Sequence, residues 1–379
     1  MKRTILIAFA FLMIFAFTVT AYAEGFDANA KSYILIDAGS GDVLAEKNAD
    51  EQLPCASVAK VMSILLFMEA EETGRLSLSD TATISDHAAS MGGTQAFLDV
   101  NSTHKVEDLL KASVVSSAND ATVALAEKAA GSEDAFVEMM NKKAGVLGIS
   151  ATFVNATGLG DEQKISARDA ATICQQLVKH DLFYKWSGIW MENYLHPDGR
   201  ETEMVNQNRL VRYYEGCDGI ATGSSGAAGY CIAATVKRSG GRFIYVALGA
   251  PNSSARFDEA KAAFDYAFAG FTAKTIVTEG QKLGSDLAIA GGTMPFIDVY
   301  AGQGFSTLIE KGKEGSLEKE LVLLENIAAP IEQGQVLGYL RIMLDGAEIG
   351  RVDAVAGDAV AERNFSNAFK RILTWWLFA

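Results

Sequence analysis

Apolar and polar positions divide this chain into short, well-punctuated elements. Ser32-Tyr33-Ile34-Leu35-Ile36-Asp37 reads as a strand, Gly39-Ser40-Gly41 as a turn and Asp42-Val43-Leu44-Ala45-Glu46 as the returning strand. From Val58 the apolar residues run Val61, Met62, Ile64, Leu65, Leu66 and Met68, followed by Glu69, Glu71, Glu72 and a stop at Gly74. That pattern predicts a largely buried helix. Further helices are expected from Lys105, over Ala118–Ala130, over Phe136–Leu147 and over Ser166–His180. After Asn206 the texture changes to strands at Gly219–Gly223, Tyr230–Val236 and Phe243–Leu248, then a helix over Arg256–Phe268. A hairpin, a helical block and more strands predict an α+β fold, an antiparallel sheet with helices packed against it.

Near Phe271 the texture shifts again. Short apolar strands (Leu321–Leu324, Val336–Met343, Glu348–Val355) separated by Gly, Asp, Glu and Lys predict a small all-β domain reaching to about residue 360. In the last stretch, 361–379, Phe365, Phe369, Ile372, Leu373 and Trp376 recur at helical spacing beside Arg363, Lys370 and Arg371. An aromatic face with basic neighbours suits an amphipathic helix lying on a membrane surface, and the sixteen residues from Asn364 to Ala379 are too few to span one. Docking of this helix on the β domain is the competing expectation.

The other end also changes the picture. Lys2 and Arg3 precede an apolar run from Ile5 to Phe17, and Ala21-Tyr22-Ala23 offers small residues where signal peptidase reads them. Residues 1–23 are therefore expected to be a signal peptide, 24–270 the first domain and 271–360 the second, with the protein exported. Without Lys2 and Arg3, 31 basic residues face 47 acidic ones, a net −16. So acidic a chain argues against nucleic acid as a partner. The cysteines at 55, 174, 217 and 231 show no metal spacing. Cys217 and Cys231 either face each other across a hairpin or, like the other two, stay as free buried thiols. The scattered histidines at 87, 104, 180 and 196 disfavour a histidine-based hydrolase, and no cofactor or metal is expected.

Candidate chemistry sits at the start of the buried helix. Ser57 and Lys60 are three residues apart, so a helical turn puts both side chains on one face. A serine hydroxyl becomes a nucleophile when a neighbouring base takes its proton, and a lysine desolvated by apolar surroundings can be that base. Spacing alone is weak, because Ser102–Lys105 and Ser316–Lys319 repeat it in polar stretches. A second candidate is Ser117-Ala118-Asn119, between two predicted helices, where helix capping is the ordinary alternative.

Together, Ser57-Val58-Ala59-Lys60, Ser117-Ala118-Asn119 and Ala221-Thr222-Gly223 resemble, in order and separation, the three motifs of the D-alanyl-D-alanine carboxypeptidases, the low-molecular-weight penicillin-binding proteins. Asp37–Gly41, Ala88–Gly93, Phe153-Val154-Asn155 with Gly158-Leu159, Asn206-Gln207-Asn208 and Ala228–Cys231 are similar to further landmarks of that family. The resemblance implies that Ser57 forms an acyl-enzyme with a peptidoglycan stem peptide, that Lys60 is its base and that Ser117 relays a proton. It further implies that Asn119 holds the substrate amide, that Thr222 and Gly223 line the carboxylate end, and that Ser225 shares the oxyanion hole with Ser57. β-Lactams are implied as covalent inhibitors.

Four positions depart from the family pattern. Ala221 stands where the third motif has lysine, Ser224 stands where a bulky or aromatic residue is common, Ser225 replaces threonine, and Ala118 replaces the usual glycine. Two other functions therefore stay open: a catalytically impaired protein of the same fold that binds stem peptides or partners, and a β-lactam hydrolase.

Overall fold

The computed structural model describes residues 26–363 together with Phe369 and Trp376. The expected signal peptide and most of the expected C-terminal helix lie outside the described residues. Strands β1 (Ser32–Asp37) and β2 (Val43–Lys47) form the expected hairpin. Much later in the chain come β3 (Met191–Leu195) and β4 (Glu201–Val205), then β5 (Cys217–Ser225), β6 (Gly229–Arg238) and β7 (Gly241–Ala250). The central sheet is antiparallel in the order β2-β1-β7-β6-β5, so the first hairpin pairs with a strand some two hundred residues away.

Side chains of this sheet alternate between two cores, as a pleated strand requires. Ile34, Ile36, Ile244 and Val246 face a helical layer, while Tyr33, Leu35, Phe243 and Tyr245 face the opposite side. The helical layer comprises α1 (Lys60–Glu72), α2 (Val106–Val115), α3 (Asn119–Ala130), α4 (Glu133–Leu147) and α5 (Ala167–Leu177). Helix α6 (Ser253–Gly270) covers the other face through Phe257, Ala260, Ala263 and Phe264. Residues 60–68 of α1 are all buried, which explains its lack of a polar stripe: it is enclosed by helices and sheet.

The β3–β4 hairpin falls where no strand was expected, because its apolar contacts are few and only Tyr194 and Met204 are buried. The cysteine alternatives resolve against pairing. Cys217 lies opposite Val236 and Cys231 opposite Gly223, and all four thiols are free and buried. Burial pushes the Cys55 thiol up to about 12, so none of this chemistry favours a thiolate there.

The second unit is all β, as its texture implies. β8 (Phe271–Val277) pairs with β11 (Phe305–Glu310). β9 (Lys282–Ala288), β10 (Phe296–Ala301), β12 (Leu317–Leu323), β13 (Val336–Leu344) and β14 (Ala347–Ala356) form a sheet in the order β9-β10-β14-β13-β12. Its two apolar clusters are centred on Ile297, Val299 and Leu337, and on Ile309, Ile342 and Val352.

Candidate active site

The site begins with an irregular turn. Ser57 lies not in the α-helix but in a 3₁₀ turn, Ala56–Ala59, which feeds directly into α1 at Lys60. Ala56 has φ +45°, a left-handed conformation costly for a residue with a Cβ. That strain is held by close packing on both sides. A Cβ on Gly158 would lie 2.1 Å from the Ala56 carbonyl oxygen, and one on Gly223 would lie 2.6 Å from the Ser57 nitrogen. Only glycine at both positions lets loop 155–159 and strand β5 close on the turn.

Lys60 is 1% exposed, and its Nζ lies 3.0 Å from Ser57 Oγ and 2.9 Å from the Thr157 carbonyl oxygen. Burial lowers the amine to about 7 from its ordinary value of 10.5. A neutral amine so placed can accept the serine proton while donating a hydrogen to Thr157. The other two Ser-x-x-Lys matches carry no such feature: Lys105 and Lys319 are exposed, and Lys319 donates to the Ile276 carbonyl. Burial separates the three.

Thr157 has no counterpart in the motifs, and its signal was the Asn155–Gly158 turn. Asn155 Oδ1 accepts from the backbone nitrogens of Thr157 and Gly158, at 3.1 and 2.7 Å, and so shapes the loop that presents the carbonyl to Lys60.

Ser117 and Asn119 do not act as caps. The N-cap of α3 is Ala118, with no side-chain capping bond. Ser117 has φ +62°, and its Oγ is buried with no hydrogen-bond partner among the described residues. Asn119 donates from Nδ2 to the Gly92 carbonyl at 2.7 Å, while its Oδ1 is buried without a partner. The neighbouring Asp120 accepts from the backbone of Ala96 and Leu98, which ties loop 91–98 over the helix start. Two unsatisfied polar atoms and two left-handed non-glycine residues in one place mark a site shaped for something other than stability.

The third stretch faces them. Ala221 and Thr222 of β5 line a cavity of about 10 Å³ with Lys60, Ser113, Ser117 and Asn206, room for roughly one water. Ser225, at the end of β5, donates from Oγ to Asp161 at 2.6 Å. Strand β5 carries no basic residue of its own. The fold brings one from α6: Arg256 donates to the Gly223 and Cys231 carbonyls, at 3.0 and 3.4 Å. Thus Ser57, Lys60, Ser117, Ala221, Thr222 and Gly223 converge, while Asn119 opens α3 two residues after Ser117 and Ser225 ends β5.

The histidines are less scattered than their spacing suggested. His104 bonds to the Tyr194 hydroxyl at 2.8 Å and packs 6.0 Å from the His196 ring, and its other ring nitrogen bonds Ser102 rather than Ser57. Burial lowers both below the ordinary histidine range. Among the described residues, no group of three His, Cys, Asp or Glu could hold a metal ion.

A serine beside a desolvated lysine, on an α+β unit followed by an all-β unit, defines a serine-type peptidase of the penicillin-binding class. Residues 17–252 match the D-alanyl-D-alanine carboxypeptidase family, and residues 271–362 match the C-terminal domain of penicillin-binding protein 5. The chain is 35% identical to the D-alanyl-D-alanine carboxypeptidase DacF of Bacillus subtilis, over 99% of each. Penicillin-binding protein 5 from Haemophilus influenzae superposes with a TM-score of 0.80 at 30% identity, covering 89% of this chain and 98% of that one. The ampicillin-bound penicillin-binding protein D2 of Listeria monocytogenes superposes at 0.57 and 27% identity, covering 64% of this chain and 98% of that one. The chain belongs to the D-alanyl-D-alanine carboxypeptidase family.

Proposed function

We propose that this protein cleaves the terminal D-alanine from peptidoglycan stem peptides through an acyl-enzyme on Ser57, at a rate lowered by Ala221. The observation that carries this reading is the buried Lys60 amine 3.0 Å from Ser57 Oγ. Ser57 attacks the carbonyl between two D-alanines, and its proton passes to Lys60. The C–N bond of the tetrahedral intermediate then breaks, and the leaving amine takes a proton by way of Ser117. Water later cleaves the ester and releases the shortened peptide. The backbone nitrogens of Ser57 and Ser225 stabilise the oxyanion, Asn119 binds the substrate amide, and Thr222 and Gly223 border the terminal carboxylate. A β-lactam enters the same path and remains on Ser57. Incubation with a fluorescent penicillin should label the purified protein, and Ser57→Ala should remove the label. An unlabelled parent would instead favour an impaired binding protein of the same fold.

The rest of the chain supports a setting for this chemistry. We assign residues 1–23 to a signal peptide, 24–270 to the catalytic domain, 271–360 to the β domain and 361–379 to a helix that rests on the outer face of the cell membrane. Among the described residues no helix is long and apolar enough to cross a membrane. Phe369 and Trp376 are 53% and 75% exposed, which leaves aromatic surface for lipid. Deleting residues 364–379 should release the mature protein from membranes while shifting its melting temperature little. Continued sedimentation with membranes would move the anchor elsewhere, most simply to an uncleaved N-terminus.

A further inference from the structure

One end of the β domain is apolar where a soluble surface is ordinarily polar. Met294, Phe296 and Leu324 are all exposed there, Leu324 by 60%. The loop carrying Met294 is closed by a bond from the Ile289 nitrogen to the Pro295 carbonyl, and Ala290 bridges to Ala328. Phe296 lies opposite Ala288 across β9 and β10, and Leu287, Ala288, Leu324 and Ile327 line a shallow groove of about 440 Å³. Large apolar groups gathered this way on a surface mark a contact.

The chain's own path indicates the partner. Gly292 bridges Glu362, and the Arg363 nitrogen donates to the Gly291 carbonyl at 2.7 Å. The aromatic C-terminal segment therefore begins one residue beyond a bond to the very loop that bears Met294. If that segment rests at a lipid interface, this end of the domain is held against the same surface. Apolar side chains of such a segment reach roughly 5–10 Å into the headgroup boundary. The exposed Asp286 and Glu325 beside the patch make the contact one of apolar insertion rather than attraction to anionic lipid.

We propose that Met294, Phe296 and Leu324 form a second membrane-contacting surface, which inserts into the bilayer interface beside the C-terminal segment. The proposal rests on the membrane reading of residues 361–379. Two weak contacts acting together hold a protein at a membrane far better than either alone.

The test uses the full mature chain carrying Phe296→Cys, labelled with an environment-sensitive fluorophore. The four native cysteines are buried, and the parent chain serves as the labelling control. Vesicles of phosphatidylethanolamine and phosphatidylglycerol should shift the emission to the blue, and brominated lipid should quench it. A double variant, Phe296→Ser with Leu324→Ser, should melt like the parent yet partition onto these vesicles about tenfold more weakly. A chain that sediments with vesicles while the label at 296 stays unchanged overturns the proposal and leaves the tail anchor standing. A chain that does not sediment at all removes both. Two lipid-free outcomes also overturn it. Emission that moves when residues 364–379 are deleted would make the tail the occupant, and emission that moves with protein concentration would make it a second copy.

Discussion

Lys60→Ala should lower acylation of Ser57 by about 10²–10⁴-fold, the span over which a positioned general base contributes. The loss is expected to be large because no other basic side chain is hydrogen-bonded to Ser57 among the described residues. The fold should survive, since alanine is the best helix former and the position opens α1. In the parent, acylation should rise with pH through about 7, where burial has brought the amine. Stability carries the same signature with a defined sign. Between about 7 and 10.5 the unfolded chain holds a proton on Lys60 that the folded chain lacks, so this group makes stability rise with pH across that window. Lys60→Ala should remove that slope. Single-turnover labelling with a fluorescent penicillin, beside melting curves, reads both effects. Near-parental labelling by Lys60→Ala would take the base role away from this residue.

Ala221→Lys should raise turnover of a D-alanyl-D-alanine peptide by at least roughly tenfold. Ala221 borders the cavity shared by Lys60 and Ser117, so a lysine there brings a cation to the carboxylate end of the site. Losing one partner of a desolvated charge pair costs ~2–5 kcal/mol, and ~1.4 kcal/mol is a factor of ten in rate. A second cation beside Lys60 also disfavours its protonation and keeps the base neutral. Arg256 is the cation the fold brings beside β5, where its Nη1 donates to the Gly223 and Cys231 carbonyls behind the strand's backbone and its Nε has no partner among the described residues. The gain should therefore be larger for substrates with a free terminal carboxylate than for their amides. Parental turnover at ordinary family rates, unchanged in Ala221→Lys, would show that Arg256 or the backbone already does this work.

Much of the architecture is legible in the residue pattern because burial is periodic. The strands at 32–37, 230–236 and 243–248 and the helix from Lys60 follow runs of apolar residues that have no other stable home. The β3–β4 hairpin escaped notice because most of its residues are exposed or half-buried and so leave no periodic trace.

The residues of the site were legible as types at a spacing, and the sequence by itself determined that Ser57 and Lys60 stand three residues apart at the start of a buried helix, while the 3₁₀ turn that carries Ser57 was not readable from it. Only the tertiary structure decided which of three Ser-x-x-Lys pairs has a desolvated amine, because desolvation comes from segments far away in the chain. Thr157 reaches Lys60 from ninety-seven residues on, and Gly158 and Gly223 admit the two walls that enclose it. The left-handed Ala56 and Ser117 were likewise unreadable, since that conformation is unfavourable locally and persists only under packing from outside. Arg256 shows the same limit: a side chain on α6 meets β5 through contacts that no spacing in the sequence encodes.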